Sequence, residues 1–509
     1  DELKVIIRQF GEAAYRVKQA GGDGVEIHAA HAHGLLGGFL SPLYNKRVDE
    51  YGGDINGRLR LTLEVIDEVR RKCGKDFIID VRISGDEYSD GGLNINDMIY
   101  VAKQLEKAGV DMLHVSGGTT IARGSSIPAP GTKMGSHAAL SAEIKKHVSI
   151  PVTTVGRITE PWIAEELIAN GKADACMIGR ANLCDPEFAN KAKEGREDDI
   201  RPCIGCLRCL NGIMFGKRVS CTVNPSFELE NEDTLKSAEV KKDVLVIGGG
   251  VAGMEAAYVA AKRGHHVVLC EANDELGGAL KAASVPIGKQ DLTRVVKFMK
   301  RRLEQMDVDI RYNTAVNEEM LEDEFAGYEV IASTGAKPII LNNLTGFKQW
   351  MSADDILTGA AFPGRKIVVI GGGSVGCETA DYLAPVVHDL YLRNREIIVL
   401  EMAKGIMMNE SGPGRSLLVQ RMMRKGIKMI CEAQVTKVET DKIYYVKDGV
   451  EHCINDADTL VFAVGYKSDP GVEEMLKKAN VSYHLIGDAH KVGNIKDAIS
   501  YGYEIARQL

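Results

Sequence analysis

The sequence predicts an α/β protein in two unlike parts: a partial (β/α)8 barrel in which strands four to eight are present, then a pair of Rossmann-like folds, one nested in the other. Three observations predict it. Across the first 200 residues, short apolar runs alternate with stretches of helical period, as βα units around a parallel sheet do. Beyond residue 240, a strand, a glycine turn and a helix start follow one another twice. Between the two parts stands Cys203-Ile-Gly-Cys206-Leu-Arg-Cys209, followed by Cys221. The domain limits that follow are 1–200 for the barrel part, 201–240 for the cysteine segment and a linker, 241–362 with 462–509 for the outer nucleotide fold, and 363–461 for the inner one.

Composition narrows the classes. A chain of 509 residues can build two or three cores, and a net charge of −8 argues against nucleic-acid or anionic-membrane partners. No apolar run approaches the ~20 residues of a transmembrane helix. Outside the central group, Cys73, Cys176, Cys184, Cys270, Cys377, Cys431 and Cys453 are scattered without a disulfide-like framework. A reducing cytoplasm is therefore expected.

The chain opens with an amphipathic helix from Leu3 to Ala20, whose stripe is Ile6, Phe10, Ala13, Ala14 and Val17. Strands are expected at Gly24–His28, Phe77–Ser84, Met112–Ser116, Pro151–Val155 and Ala175–Ile178, and helices at Leu59–Cys73, Asn96–Ala108 and Glu160–Asn170. Five strands cannot close an eight-stranded barrel, and the opening helix is of the kind that follows a strand. The expectation is a fragment of a barrel whose first three strands lie outside this sequence.

Barrel chemistry gathers at the carboxyl ends of the strands. There the sequence reads Glu26-Ile-His28-Ala-Ala-His31-Ala-His33, with Glu26 and His28 expected to face the axis. Two imidazoles held together could donate hydrogen bonds to one carbonyl oxygen and stabilise charge developing on it. A single histidine would as readily be structural, but three within six residues at a strand end point to function. Gly156-Arg157 and Gly179-Arg180 end the last two strands, where glycine lets a phosphate approach the backbone and arginine binds it bidentately.

Cysteines three apart on a tight loop, with a remote fourth, suit a [4Fe–4S] cluster at Cys203, Cys206, Cys209 and Cys221. A zinc site and chance clustering are the alternatives, although zinc more often uses two separated CxxC pairs. Polar residues Phe227–Val240 then read as a linker. The first glycine turn carries Gly248, Gly250 and Gly253, with Glu271 ending the next strand, where it would hold a ribose hydroxyl. The second carries Gly371, Gly373 and Gly376, with Glu401 in the matching place, which favours NADH over NADPH. Arg393 and Arg395 nearby keep NADPH open. Leu292–Met306 reads as a helix with a solvated, charged face.

His28-Ala-Ala-His31, Phe39-Leu-Ser-Pro42, Asn45-x-Arg47, Asp49-Glu-Tyr51-Gly-Gly53 and Asn56-Gly-Arg58 resemble the barrel of the old yellow enzyme family. Joined to the cysteine segment and two nucleotide folds, the whole chain resembles its multi-centre members: 2-enoate reductase, 2,4-dienoyl-CoA reductase, trimethylamine dehydrogenase and the bile-acid-inducible NADH:flavin oxidoreductases. The resemblance implies FMN on the barrel, with Arg82 near the flavin ring and Gly156, Arg157, Gly179 and Arg180 at its phosphate. It implies FAD on the outer fold, where Gly278, Gly487 and Asp488 match flavin-contacting motifs and Thr334-Gly335 matches the crossing into the inner fold.

By the same resemblance His28 and His31 bind the carbonyl of a small unsaturated substrate. Electrons pass from NADH through FAD, the cluster and FMN to an activated C=C bond. The family's proton-donating tyrosine is absent: the spacing lands on His33, or on Gly34 in an alternative alignment, and His33 is the expected donor with Tyr44 or a water as competitors. Thr120 replaces a histidine of the dienoyl-CoA reductases, and no aromatic cluster marks a cation site, which places a dehydrogenase passing electrons to a separate acceptor second. An exposed cluster suggests an anaerobic setting. The sequence leaves the oligomeric state open, a homo-oligomer included.

Overall fold

The computed structural model describes residues 1–119, 126–214, 216–227, 229, 235–384, 395–408, 410 and 413–509, and the chain divides into two compact units, Asp1–Asn182 and Leu183–Leu509. Thr120, Arg393 and part of the expected linker lie outside the described residues.

In the first unit, strands β1 (Gly24–His28), β2 (Ile78–Ser84), β3 (Met112–Ser116), β4 (Val152–Thr154) and β5 (Ala175–Cys176) form one parallel sheet in sequence order. Ile27, Val81, Leu113 and Val152 pack one face against helices Ile55–Cys73 and Ile95–Lys107, which bury Val65, Ile66, Met98 and Val101. The first of these helices is fixed at both ends, because the Asp54 carboxylate accepts the Gly57 N–H and Gly74 closes it at φ 80°.

The opening helix, Glu2–Gln19, corrects the expected stripe. Ile7, Gly11 and Ala14 are the buried positions, whereas Val17 is exposed. Gly11 sets this rotation: a Cβ there would stand 2.7 Å from the Glu68 side chain, so the helices approach along that line.

The second unit contains β6 (Asp243–Ile247), β7 (His266–Cys270), β8 (Asp309–Arg311), β9 (Glu329–Ala332), β10 (Ala336–Pro338), β11 (Trp350–Ser352), β12 (Lys366–Ile370), β13 (Glu396–Leu400), β14 (Lys428–Ile430), β15 (Gln434–Val438), β16 (Ile443–Lys447), β17 (Val450–Ile454), β18 (Thr459–Phe462), β19 (Tyr466–Ser468) and β20 (Tyr483–Leu485). Two parallel five-stranded sheets have the orders β20-β9-β6-β7-β8 and β11-β18-β12-β13-β14. The antiparallel pair β10-β19 joins the strand segments that lead into and out of the inner sheet. Because β11 pairs with β18, the inner sheet begins at residue 350 rather than at 363. Residues 183–200 pack with the second compact unit.

Helix Val251–Lys262 is buried along most of its length, and helix Ile495–Gln508 lies across it. Gly502 permits the approach, since a Cβ there would overlap the Ala252 carbonyl. Helix Leu292–Glu304 is less solvated than its composition suggests: Leu292, Val295, Phe298, Met299 and Leu303 enter the core. Its Arg302, 8% exposed, pairs with Glu255, 2% exposed, and lies over the rings of Tyr258 at 4.0 Å and Phe298 at 4.7 Å.

Candidate functional site

Parallel register builds the first site. His28 pairs with Arg82, which pairs with His114, so three basic side chains occupy one level of the sheet near its carboxyl edge. One level below, Glu26 pairs with Asp80, as the alternation within β1 requires. His114 Nδ1 lies 2.7 Å from Glu26. Burial and the adjoining Glu26 carboxylate push the Asp80 carboxyl up to about 7. Ligand atoms of Glu26, Asp80 and His114 all lie within 4.8 Å of one another.

His28 Nδ1 accepts the Ala30 N–H at 3.1 Å, which assigns the ring hydrogen to Nε2 and makes that atom a donor. Burial and the Arg82 charge keep His28 neutral by lowering its pKa. His31 has the opposite arrangement. Its Nδ1 faces the Gly118 carbonyl at 3.1 Å, so Nδ1 carries the hydrogen and Nε2 presents a lone pair. Burial holds this ring down to about 4, so it is neutral near pH 7. The expected pair of donors is thus one donor and one acceptor.

His31 and Ala32 both adopt left-handed backbone, φ 63° and 56°, and the Ser84 hydroxyl accepts the His31 N–H at 2.8 Å. The turn brings His33 parallel to His31, with ring centroids 5.7 Å apart, and edge-on to His28 at 5.3 Å. His33 and Tyr44 are exposed.

Arg157 is buried at φ 54° and donates to the Thr132 carbonyl, whereas Gly179 borders open space and Arg180 donates to the Pro128 carbonyl at 3.0 Å. A residue not expected from the sequence joins them. His137, 3% exposed, has no hydrogen-bond partner for either ring nitrogen among the described residues, and its ring borders the points where Cβ atoms of Gly117 and Gly156 would stand. Burial lowers it to about 4.

In the second unit, the loop through Cys203, Cys206 and Cys209 turns through left-handed backbone at Gly205 and Leu207, both φ 64°. No three of the four expected cysteine sulfurs lie within 4.8 Å of one another among the described residues. A tetrahedral zinc with bonds of ~2.3 Å needs its sulfurs closer than this, roughly 4 Å apart, whereas a cluster spreads them around four irons. Cys221 is held down to about 6 by a hydrogen bond from Cys184, with the N–H groups of Val223 and Asn224 adding to it against the effect of burial. Cys184 is therefore not one of the scattered thiols; it is fully buried against the cysteine segment.

The two glycine turns repeat one geometry. Gly248 and Gly371 have φ 104° and 105°, and a Cβ on Gly253 or Gly376 would overlap the carbonyl of Gly248 or Gly371. Gly250 and Gly373 begin helices with open space beside them. Glu271 accepts the Gly249 N–H at 2.7 Å, and Glu401 accepts the Gly372 N–H at 2.6 Å. Gly278, φ 52°, abuts Gly250; Gly487, φ 57°, abuts Ala252; and Asp488 accepts the Gly493 N–H at 2.9 Å. A cavity of about 550 Å³ opens at the inner turn, lined by Gly371, Gly373, Ser374, Glu401, Gly465 and Tyr466.

Residues 1–199 match the model of the NADH:flavin oxidoreductase / NADH oxidase family, residues 243–333 that of FAD dependent oxidoreductases, and residues 299–484 that of pyridine nucleotide-disulphide oxidoreductases. An NADH oxidase of Thermoanaerobacter brockii is 38% identical over 524 residues, covering 100% of this chain and 78% of the relative. The chain belongs to the NADH:flavin oxidoreductase / NADH oxidase family. Within it, a cinnamate reductase of Clostridium sporogenes is 36% identical, with 100% and 78% covered, and a bilirubin reductase of Mediterraneibacter gnavus is 34% identical, with 100% and 79% covered. A solved 2-naphthoyl-CoA reductase in complex with 2-naphthoyl-CoA superposes with TM-score 0.94 at 27% identity, covering 100% of this chain and 76% of that one.

As a member of this family the protein is an oxidoreductase using FMN, FAD, an iron–sulfur cluster and NADH. Its residues fit these groups. Arg82 Nε and both His137 ring nitrogens are buried polar atoms without a partner among the described residues, as a bound flavin would require of its contacts. Four thiols spaced beyond zinc geometry suit a cluster, and two glycine-lined helix starts with a backing carboxylate suit two dinucleotides.

Proposed function

We propose that this chain is an NADH-dependent reductase of C=C bonds conjugated to a carbonyl, with an unsaturated acid or thioester as substrate. The observation that carries the reading is the fixed Nε2 donor of His28, which lies in register with Arg82 at the carboxyl edge of the sheet. When bound, FAD, the cluster and FMN relay electrons from NADH to the substrate carbon.

The residues supply the rest. His28 Nε2–H donates to the substrate carbonyl oxygen and stabilises charge arriving there as the β carbon is reduced. Held neutral, His28 does not give its proton away in the ground state, so it polarises the carbonyl without becoming its acid. His33, exposed beside both rings, would deliver the proton to the α carbon and recover it from solvent. Arg82 would hold the flavin, and Gly156, Arg157, Gly179 and Arg180 its phosphate. Glu271 would bind the FAD ribose, and Glu401 that of NADH. Support for the substrate class comes from the cinnamate and 2-naphthoyl-CoA reductases that this chain resembles.

Anaerobic NADH titration of the holoenzyme tests this reading, followed by addition of cinnamate or a 2-enoyl thioester. Reoxidation of the reduced flavin by either compound is the expected result. Bleaching by a saturated substrate without nicotinamide, and no reoxidation by unsaturated ones, would replace the reading with a dehydrogenase feeding a separate acceptor.

A further inference from the structure

Strand order fixes where each part of a dinucleotide falls on the inner sheet. β13, β12 and β18 are parallel neighbours, and at their carboxyl edge stand Glu401, Gly371 and the Gly465-Tyr466 pair, all of which line the cavity there. The ribose-holding carboxylate marks the adenosine end, and the glycine turn with its helix start marks the pyrophosphate. The nicotinamide half is left for the third side, toward Tyr466. That residue opens β19, which pairs with β10 in the ribbon joining the two nucleotide folds. Two residues along the same strand, Ser468 Oγ donates to the carbonyl of Asp488 at 2.5 Å, and Asp488 is the residue matched to a flavin-contacting motif.

The ring of Tyr466 is held from the inner fold. Its Oη donates to Asp354 Oδ1 at 2.6 Å. Burial and that carboxylate raise the pKa of the phenol, so it keeps the hydrogen it donates. Asp354 is itself fixed, because it lies in helix Ala353–Leu357, whose start is closed by a reciprocal pair of bonds: the Ser352 hydroxyl accepts the Asp355 N–H, and the Asp355 carboxylate accepts the Ser352 N–H.

We propose that Tyr466 is a positioning residue for hydride transfer, its ring locked by Asp354 into the wall against which the nicotinamide of NADH is set to face FAD. The inference rests on the NADH-dependent reading above. The step it serves turns NADH into NAD⁺ while FAD takes up the hydride. Contacts at Glu401 and the glycine turn hold the rest of the nucleotide whether or not the ring is locked. Freeing the ring therefore costs geometry rather than affinity, and a misplacement of about 1 Å at the reacting atoms can cost about 10²-fold in rate.

The test uses the anaerobic holoenzyme as wild type, Tyr466→Phe, Asp354→Ala and Asp354→Asn, with FAD content measured in each. Titration with 1,4,5,6-tetrahydro-NADH, which cannot give up a hydride, reads the Kd and the long-wavelength charge-transfer band of nicotinamide stacked on oxidised flavin. Stopped-flow mixing with NADH reads the rate of FAD reduction. Tyr466→Phe and Asp354→Ala should keep FAD and hold Kd within about two-fold, yet lose most of the band and reduce FAD roughly 10-fold or more slowly. Asp354→Asn, whose amide oxygen still accepts the phenol, should keep most of both. An unchanged band and rate in Tyr466→Phe and Asp354→Ala overturns the proposal. Equal losses in Asp354→Asn and Asp354→Ala overturn it too, as does a Kd weakened by the same factor as the rate, which would make Tyr466 a plain binding contact. Loss of FAD from either variant overturns it in favour of a structural pair. Wild-type FAD that NADH does not reduce overturns the NADH reading itself, and this inference with it.

Discussion

His31 donates its Nδ1–H to the Gly118 carbonyl at 3.1 Å, and that bond decides what the far side of the ring can do. While neutral, His31 adds an acceptor beside the donor of His28. His28→Ala should therefore lower kcat/KM for an unsaturated carbonyl substrate by about 10²–10³-fold, the usual cost of removing one oxyanion donor. His31→Ala should cost clearly less. Equal losses in steady-state kinetics would show that His31 donates too, and would reverse its tautomer.

Glu401 should govern the choice of nicotinamide. Its carboxylate is anchored by the N–H groups of Gly372 and Ala403 at 2.6 and 2.7 Å, so it cannot swing away from a 2′-phosphate. Glu401→Ala should weaken NADH and relieve NADPH, narrowing the preference on the order of 10–100-fold, the worth of ~1–3 kcal/mol in one charged contact. Stopped-flow reduction of FAD by each nucleotide measures it.

The Arg302–Glu255 pair predicts an asymmetry in stability. Arg302→Met leaves Glu255 buried and uncompensated and should cost about 3–5 kcal/mol, read as earlier release of FAD on thermal denaturation. Glu255→Leu added to Arg302→Met should recover most of that loss. An unchanged FAD-release temperature in the single variant would mean that the charge of Glu255 has another partner.

Asp80 predicts a pH dependence of the first unit. Its carboxyl sits near 7 in the fold against an ordinary value near 4, so the folded state binds the proton more tightly than the unfolded one. Its contribution is complete below about pH 4 and declines as pH rises toward 7. Asp80→Asn should flatten that decline, gaining on the order of 2 kcal/mol at pH 8 after allowance for solvent screening and nothing at pH 3.5. Proteolytic susceptibility of residues 1–182 across this range checks it.

What the sequence revealed follows from how local its signals are. Strands β1 and β3 begin and end where the apolar runs do, and both glycine turns have the geometry that their spacing requires. Cys184 escaped notice because a lone cysteine carries no spacing signal; it meets Cys221 only through tertiary packing. His137 was hidden for the same reason, since its neighbours Gly117 and Gly156 are remote in sequence. Strand β11 has three residues, too few to show alternation, so the inner fold's start was placed late. The donor–acceptor split of His28 and His31 depends on which backbone group each Nδ1 meets, and residue identity alone does not encode that.

The order β20-β9-β6-β7-β8 has a consequence for biosynthesis. One edge strand of the outer sheet, β20, and the helix Ile495–Gln508 that clasps Val251–Lys262 are translated only after the whole inner sheet. The inner fold, from β11 to β18, can close from its own strands, while β6 to β9 must wait with one edge and one helix face uncovered. Once residue 462 has emerged from the ribosome and before residue 483 has, a finished inner domain therefore stands on an unfinished outer one. During that interval the nascent chain is most open to edge pairing with another copy, and a chaperone has most to protect.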